Sequence, residues 1–165
     1  VAERTDAEVR AALVERRAPL SLELWPGVSL GPFRLGMPVR DAIALVQSKQ
    51  RLIRRVELKY CDERPVANDI LVDLVDDGLL LRFEPRSQRL KTIEVYDARR
   101  LRLSYSNGVF CSPERTPTLV LLYNHFGPSY PGTYDVARSQ YYLHYPGVTF
   151  TFPIPPKYAH RYAAA

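Results

Sequence analysis

The sequence predicts an α+β fold, antiparallel β-sheet packed by two amphipathic helices, and three observations predict it. Two segments carry apolar residues at i, i+3, i+4 and i+7: Val39, Ala42, Ile43, Val46, and Leu119, Leu122, Tyr123, Phe126. That spacing lines one face of a helix. Much of the remainder alternates apolar and polar residues over short runs, the period of half-buried strands. Between those runs stand Asp76-Asp77-Gly78, Asn107-Gly108 and Tyr145-Pro146-Gly147, residues that make tight turns. One phrase recurs: a proline-started helix leading to a strand, a glycine turn and another strand. It runs from Leu35-Gly36-Met37-Pro38 to Leu79–Phe83, and again from Thr116-Pro117 to Val148–Phe152. Two related helix-plus-sheet units sharing a core are the arrangement this implies.

Taken in order, residues 1–19 read as a helical extension, capped by Asp6, striped by Val9, Ala12 and Leu13, and stopped by Pro19. Residues 20–153 form the expected domain. Leu20–Trp25 is a strand with Leu20, Leu22 and Leu24 on one face, and Pro26-Gly27 turns the chain. Pro32–Leu35 is a short strand. Pro38 stands at the start of the first helix, where the N–H it lacks has no intrahelical partner anyway. Arg54–Tyr60 reads as a strand with Val56, Leu58 and Tyr60 inward. Ile70–Phe83 reads as a hairpin, with Asp73 outward and Asp76-Asp77-Gly78 in the turn. Arg89–Tyr96 follows, then Leu101–Tyr105 with Leu101, Leu103 and Tyr105 on one face. Asn107-Gly108 turns into Val109–Cys111. The second helix, Thr118–His125, has Thr116 as its expected cap and Gly127 as its stop. A loop at Pro128–Gly132 precedes the last hairpin, Tyr141–His144 with Val148–Phe152. Residues 154–165 read as a Pro-rich tail or the end of a fragment.

The 165 residues are 46% hydrophobic, enough to bury a core and too many for a disordered chain. Net charge is +5, but basic and acidic residues interleave without a block of like sign. A dedicated nucleic-acid binder is therefore not expected. Cys61 and Cys111 are too few for a disulfide framework and read as free thiols. The sequence contains no apolar run of ~18 residues and no signal-peptide pattern, so a cytoplasmic protein is expected.

Residues able to do chemistry are sparse. His125, His144 and His160 have no metal-site spacing, and no Cys-x-x-Cys accompanies them. No nucleophile elbow, P-loop or dinucleotide fingerprint is present. A non-enzymatic protein with no cofactor, no metal and no catalytic residues is the expectation. Basic residues are the better lead. Arg51, Arg54, Arg55 and Lys59 follow the first helix; Arg82, Arg86, Arg89 and Lys91 flank one hairpin end, and Arg99, Arg100 and Arg102 another. If those edges meet, they offer a phosphate-binding pocket, since arginine grips phosphate in bidentate fashion. The plainer alternative is a solvated sheet face balanced by Glu57, Glu84 and Glu94. Eleven tyrosines, with Tyr130, Tyr134, Tyr141, Tyr142 and Tyr145 crowded together, read as core or sheet-surface residues or as a protein-binding surface.

Several of these segments together resemble one family. They are Leu35-Gly36-Met37-Pro38 with its helix, Asp69–Leu74, Asp77-Gly78, Leu81-Arg82-Phe83, and Gln88–Lys91 with Ile93-Glu94-Val95. Further on come Pro117-Thr118, Phe126-Gly127, Pro131-Gly132 with Tyr134, Gly147 with Phe150 and Phe152, and Lys157–His160. In that order they resemble the N-terminal half of the phagophore assembly factor family, over about residues 20–160. The resemblance implies a non-enzymatic cytoplasmic scaffold of autophagy, recruited to the phagophore through phosphoinositides and a WD-repeat β-propeller partner. It also implies that the rest of a longer polypeptide is missing here. It supplies no binding residues, so Arg51, Arg54, Arg55 and Lys59 stand as the phosphoinositide site on their charge alone. The alternative is a carrier module whose sheet and tyrosines enclose a small apolar ligand.

Overall fold

The structure, a computed structural model, describes residues 18–162. The expected N-terminal helix and Ala163–Ala165 lie outside the described residues. Twelve strands form three sheets, with two helices and three short 3-10 turns among the described residues. The α+β expectation holds. The first sheet comprises β1 (Leu20–Trp25), β2 (Ser29–Leu30), β3 (Phe33–Arg34), β8 (Leu101–Tyr105) and β9 (Gly108–Cys111), in the order β3-β2-β1-β8-β9. The second is a four-stranded antiparallel meander of β4 (Val56–Lys59), β5 (Ile70–Leu74), β6 (Leu79–Phe83) and β7 (Leu90–Val95). The third, β10 (Thr133–Asp135), β11 (Gln140–Tyr145) and β12 (Val148–Pro153), is a three-stranded antiparallel meander.

The first helix, α1 (Val39–Ser48), buries Ala42 and Val46, as its stripe requires. Pro38 sits directly before it. The chain entering α1 is fastened to β7, because the Gly36 N–H donates to the Leu90 carbonyl and the Leu90 N–H to that of Met37. The second helix, α2 (Leu119–Phe126), is capped by Thr118 rather than Thr116. The Thr118 Oγ1 accepts from the Leu121 N–H at 3.2 Å. Its Phe126 stacks on Tyr105 with ring centroids 4.3 Å apart and meets Phe110 and Phe150 edge-on.

One buried cluster joins all of this. Leu20, Leu22 and Leu30 of the first sheet meet Val72, Leu74, Leu79, Leu81 and Phe83 of the second, with Ala42 of α1 and Leu122 of α2. Phe150 and Phe152 of the third sheet pack against it from its margin.

Besides the cap at Thr118, four further details depart from the sequence reading. First, β1 pairs with β8 in parallel, Leu20 opposite Leu101 and Leu22 opposite Leu103, within otherwise antiparallel sheets. Second, β2 and β10 were not expected, being only two and three residues long. Third, the β5–β6 connection is a 3-10 turn at Val75–Asp77 closed by Gly78 in the left-handed region, and it buries Asp77. Fourth, Val56, Leu58 and Tyr60 do not reach the core. They are 38%, 49% and 62% exposed, because β4 is an edge strand.

The hairpin expected at Asn107-Gly108 forms, but its turn sits one residue earlier and Gly108 begins β9. Ser106 and Asn107 both have positive φ, the geometry a tight hairpin needs.

Candidate functional site

The candidate basic residues lie on the link from α1 to β4 and along β4 itself. After Lys49, the N–H groups of Leu52 and Ile53 both donate to the Lys49 carbonyl, and buried Ile53 pins the link to the core. Pinning one residue turns its neighbours outward. Arg51, Leu52, Arg54 and Arg55 are all exposed.

Strand alternation then divides the four basic residues. Arg55 and Lys59 share the outer face of the second sheet with Glu57. The Arg55 guanidinium donates to Glu57 at 3.0 Å, and the Lys59 ammonium reaches Asp73 at 3.2 Å and Glu57 at 3.4 Å. These contacts hold the Glu57 carboxyl below its ordinary range, through Arg55 first and Lys59 second. They raise Lys59, through Asp73 first. Arg54 lies on the opposite side. It lines an open groove of about 470 Å³ with Ile43, Val46, Gln50, Val56 and Val72, between α1 and the β4–β5 pair. Arg51 and Arg54 make no ion pair with any described residue.

Of the other candidate basic residues, Arg86 makes no ion pair among the described residues, and the rest are committed to carboxylates or carbonyls. Arg82 bonds Glu94 at 3.0 Å and approaches Asp69, whose second oxygen takes Lys91 at 2.7 Å. Arg99 and Arg100 both grip Asp97, holding its carboxyl down, Arg99 foremost. Arg102 faces Glu114, and the Arg89 guanidinium donates to the Gly36 carbonyl. So the outer face of the second sheet is a lattice of paired charges, the plainer of the two expectations. The hairpin ends do not gather into one phosphate pocket.

The sequence reading missed an apolar companion to the uncommitted arginines. Leu52, Val56, Leu58 and Tyr60 are exposed along the same link and edge strand. Period-2 alternation picked out the shared face of Val56, Leu58 and Tyr60, but only the sheet order reveals that it lies exposed at an edge.

Several tyrosine hydroxyls brace nearby backbone or side chains. The Tyr145 hydroxyl donates to the Gly127 carbonyl at 2.9 Å, the Gly132 N–H donates to the Tyr141 hydroxyl at 3.1 Å, and Tyr142 donates to Gln140 at 2.8 Å. Tyr130 alone of the crowded five is strongly exposed. His144 lies between Thr133 and Thr149 on the outer face of the third sheet, at 3.3 and 3.1 Å. His125 sits at the end of α2 near Phe110. Both cysteines are free; the Cys111 thiol lies near the Ala98 carbonyl, and burial pushes it up. Among the described residues no group of three His, Cys, Asp or Glu side chains could hold a metal ion. No helix among them is long and apolar enough to cross a membrane.

With this geometry in hand, the family model described as phagosome assembly factor 1 matches residues 29–165. The chain belongs to that family. The match includes both helices, β4 with its basic residues, and all three sheets except β1. Curated relatives agree. A PHAF1 protein of Arabidopsis thaliana is 42% identical over 136 residues, covering 82% of this chain and 33% of the relative. One of Drosophila melanogaster is 41% identical over 148 residues, 87% of this chain and 34% of the relative. One of Caenorhabditis elegans is 36% identical over 121 residues, 73% of this chain and 29% of the relative. The chain thus spans about one third of the length of these relatives. No solved structure matches it.

Proposed function

We infer that this phagosome assembly factor family member is part of a non-enzymatic scaffold that works at forming autophagic membranes. In this reading it engages phosphoinositide-bearing membrane directly, and a WD-repeat β-propeller protein holds it there.

The observation that carries the membrane half is the surface at the exit of α1. Arg51 and Arg54 have no carboxylate partner among the described residues, and they flank a row of exposed apolar groups: Leu52, Val56, Leu58 and Tyr60. Cations beside exposed apolar side chains suit a peripheral membrane surface. The arginines meet anionic headgroups while the apolar groups enter the interface. Arg55 and Lys59 contribute less, because Glu57 and Asp73 already neutralise them. The β-propeller half rests on family resemblance.

Flotation with vesicles containing phosphoinositide tests the reading. Each basic group near an anionic surface is worth about 1 kcal/mol, so Arg51→Ala with Arg54→Ala is expected to weaken binding roughly 30-fold. Arg55→Ala with Lys59→Ala should do less. Unchanged flotation of the quadruple alanine variant would sink the membrane surface. Recovery of the chain from cells with no WD-repeat protein attached would sink the partner.

A further inference from the structure

Two strand edges border one cleft. The cleft, about 890 Å³, is lined by every residue from Lys91 to Tyr96 and by every residue from Gly147 to Phe152. A sheet face presents alternate residues, because successive side chains point to opposite sides. Consecutive residues border a space only where that space runs alongside the strand. The cleft therefore follows the outer edges of β7 and β12, each the last strand of its sheet.

Backbone geometry agrees on the β7 side. The Tyr96 N–H donates back toward β6, to the Gly78 carbonyl. By antiparallel alternation, the N–H and carbonyl groups of Val95 and Ile93 then point away from β6, into the cleft. Leu90 has its outward groups filled by Gly36 and Met37, and beyond it the edge has no strand partner among the described residues. The floor of the cleft is apolar, with Leu103, Phe110, Cys111 and Leu122.

Long uncovered edges invite aggregation, and proteins usually blunt them with charge, proline or a covering element. Here the charges beside the edge are turned elsewhere, Lys91 to Asp69 and Glu94 to Arg82. Meanwhile the curated relatives are about three times as long as the matched region.

We propose that this cleft seats a β-strand from the part of the family polypeptide that this chain does not span. That strand pairs with β7 on one side and β12 on the other, and it joins the four-stranded and three-stranded sheets into one. Its residues alternate, apolar toward Phe110 and Leu122 and polar outward. A second copy of this chain fits less well. Its own open edges belong to sheets, and a sheet edge can pair with β7 or with β12 but cannot enter a slot bordered by both.

Hydrogen exchange on this chain, and on the chain extended by the remaining family polypeptide, tests the proposal. In the extended polypeptide, the outward amides of β7 and β12 should exchange about 100-fold more slowly than in the chain alone. The outer edge of β4, at the far end of the second sheet, serves as the control and should not change. Equal rates at β7 and β12 in the two forms would overturn the proposal. So would slow exchange in the chain alone accompanied by a dimer in native mass spectrometry.

Discussion

The four-stranded sheet, β4–β7, and the three-stranded sheet, β10–β12, face the same core with different side chains. The inner face of the first is mainly aliphatic and closed along its two central strands: Val72, Leu74, Leu79, Leu81 and Phe83 are all buried. The third sheet buries only Leu143 fully. Its hold on the molecule comes from Phe150 and Tyr145 against Phe110 and Phe126, and from one backbone contact, the Gly27 N–H donating to the Gly147 carbonyl at 3.0 Å. Close-packed aliphatic faces lose stability wherever a methylene is removed. A margin of half-exposed rings depends instead on a few oriented contacts. The difference teaches that this chain has one unit finished at its centre and open only along its β4 and β7 edges, and one whose completion depends on what lies beside it.

Cutting into the finished unit should cost most. Leu81→Ala empties a fully buried site on a central strand, and about 3 kcal/mol of stability should be lost, read by urea denaturation. Because the core is shared, exchange should speed in all three sheets; an effect confined to β4–β7 would break the comparison.

Gly147→Ala comes next. Gly147 has φ of 80°, and an added Cβ would meet the Gly27 backbone, 2.6 Å from its Cα. About 2 kcal/mol is expected. Here hydrogen exchange should quicken mainly in β10–β12, with β5 and β6 left protected.

The smallest effect concerns the β6–β7 connection of the finished unit. The Glu84 carboxylate accepts from the Arg86 and Ser87 N–H groups at 3.1 and 2.6 Å. These contacts, those from Ser87 foremost, lower its pKa from 4.5 to about 2. A depressed carboxyl stabilises the fold above its unfolded pKa and loses that contribution as pH falls through the folded one. The urea midpoint of the native chain should therefore drop between pH 4.5 and 2 by more than that of Glu84→Gln. Parallel curves would show that this carboxylate does not brace the turn.

Much of this fold is legible because its rules are local. The stripes of α1 and α2, the Asn107-Gly108 turn, and the alternation of β1, β5, β6 and β8 all follow from spacing within a few residues. What escapes is set by distant partners. Nothing near Leu20 announces that it pairs in parallel with Leu101, and β2 and β10 are too short to carry a period. Val56 and Leu58 show why the candidate surface was half visible: alternation names their face, but only the position of β4 at a sheet edge leaves it bare. Likewise the sequence displays the charges of Lys59 and Arg82, while Asp73, Glu94 and Asp69 become their partners only through strand register.

The parallel pairing of β1 with β8 also has a consequence for how the chain is made. Each residue of β1 from Leu20 to Glu23 meets one 81 places further along, as Leu20 meets Leu101, and β1 lies between β2 and β8. At about 5–20 residues per second, ribosomal synthesis leaves β1 waiting roughly 4–16 s for β8. Through that interval Leu20 and Leu22 have only the short β2–β3 turn beside them, while the β4–β7 meander, built from neighbouring strands, can already form. Until Leu101–Tyr105 emerges, the apolar face of β1 therefore has no β8 strand to close against.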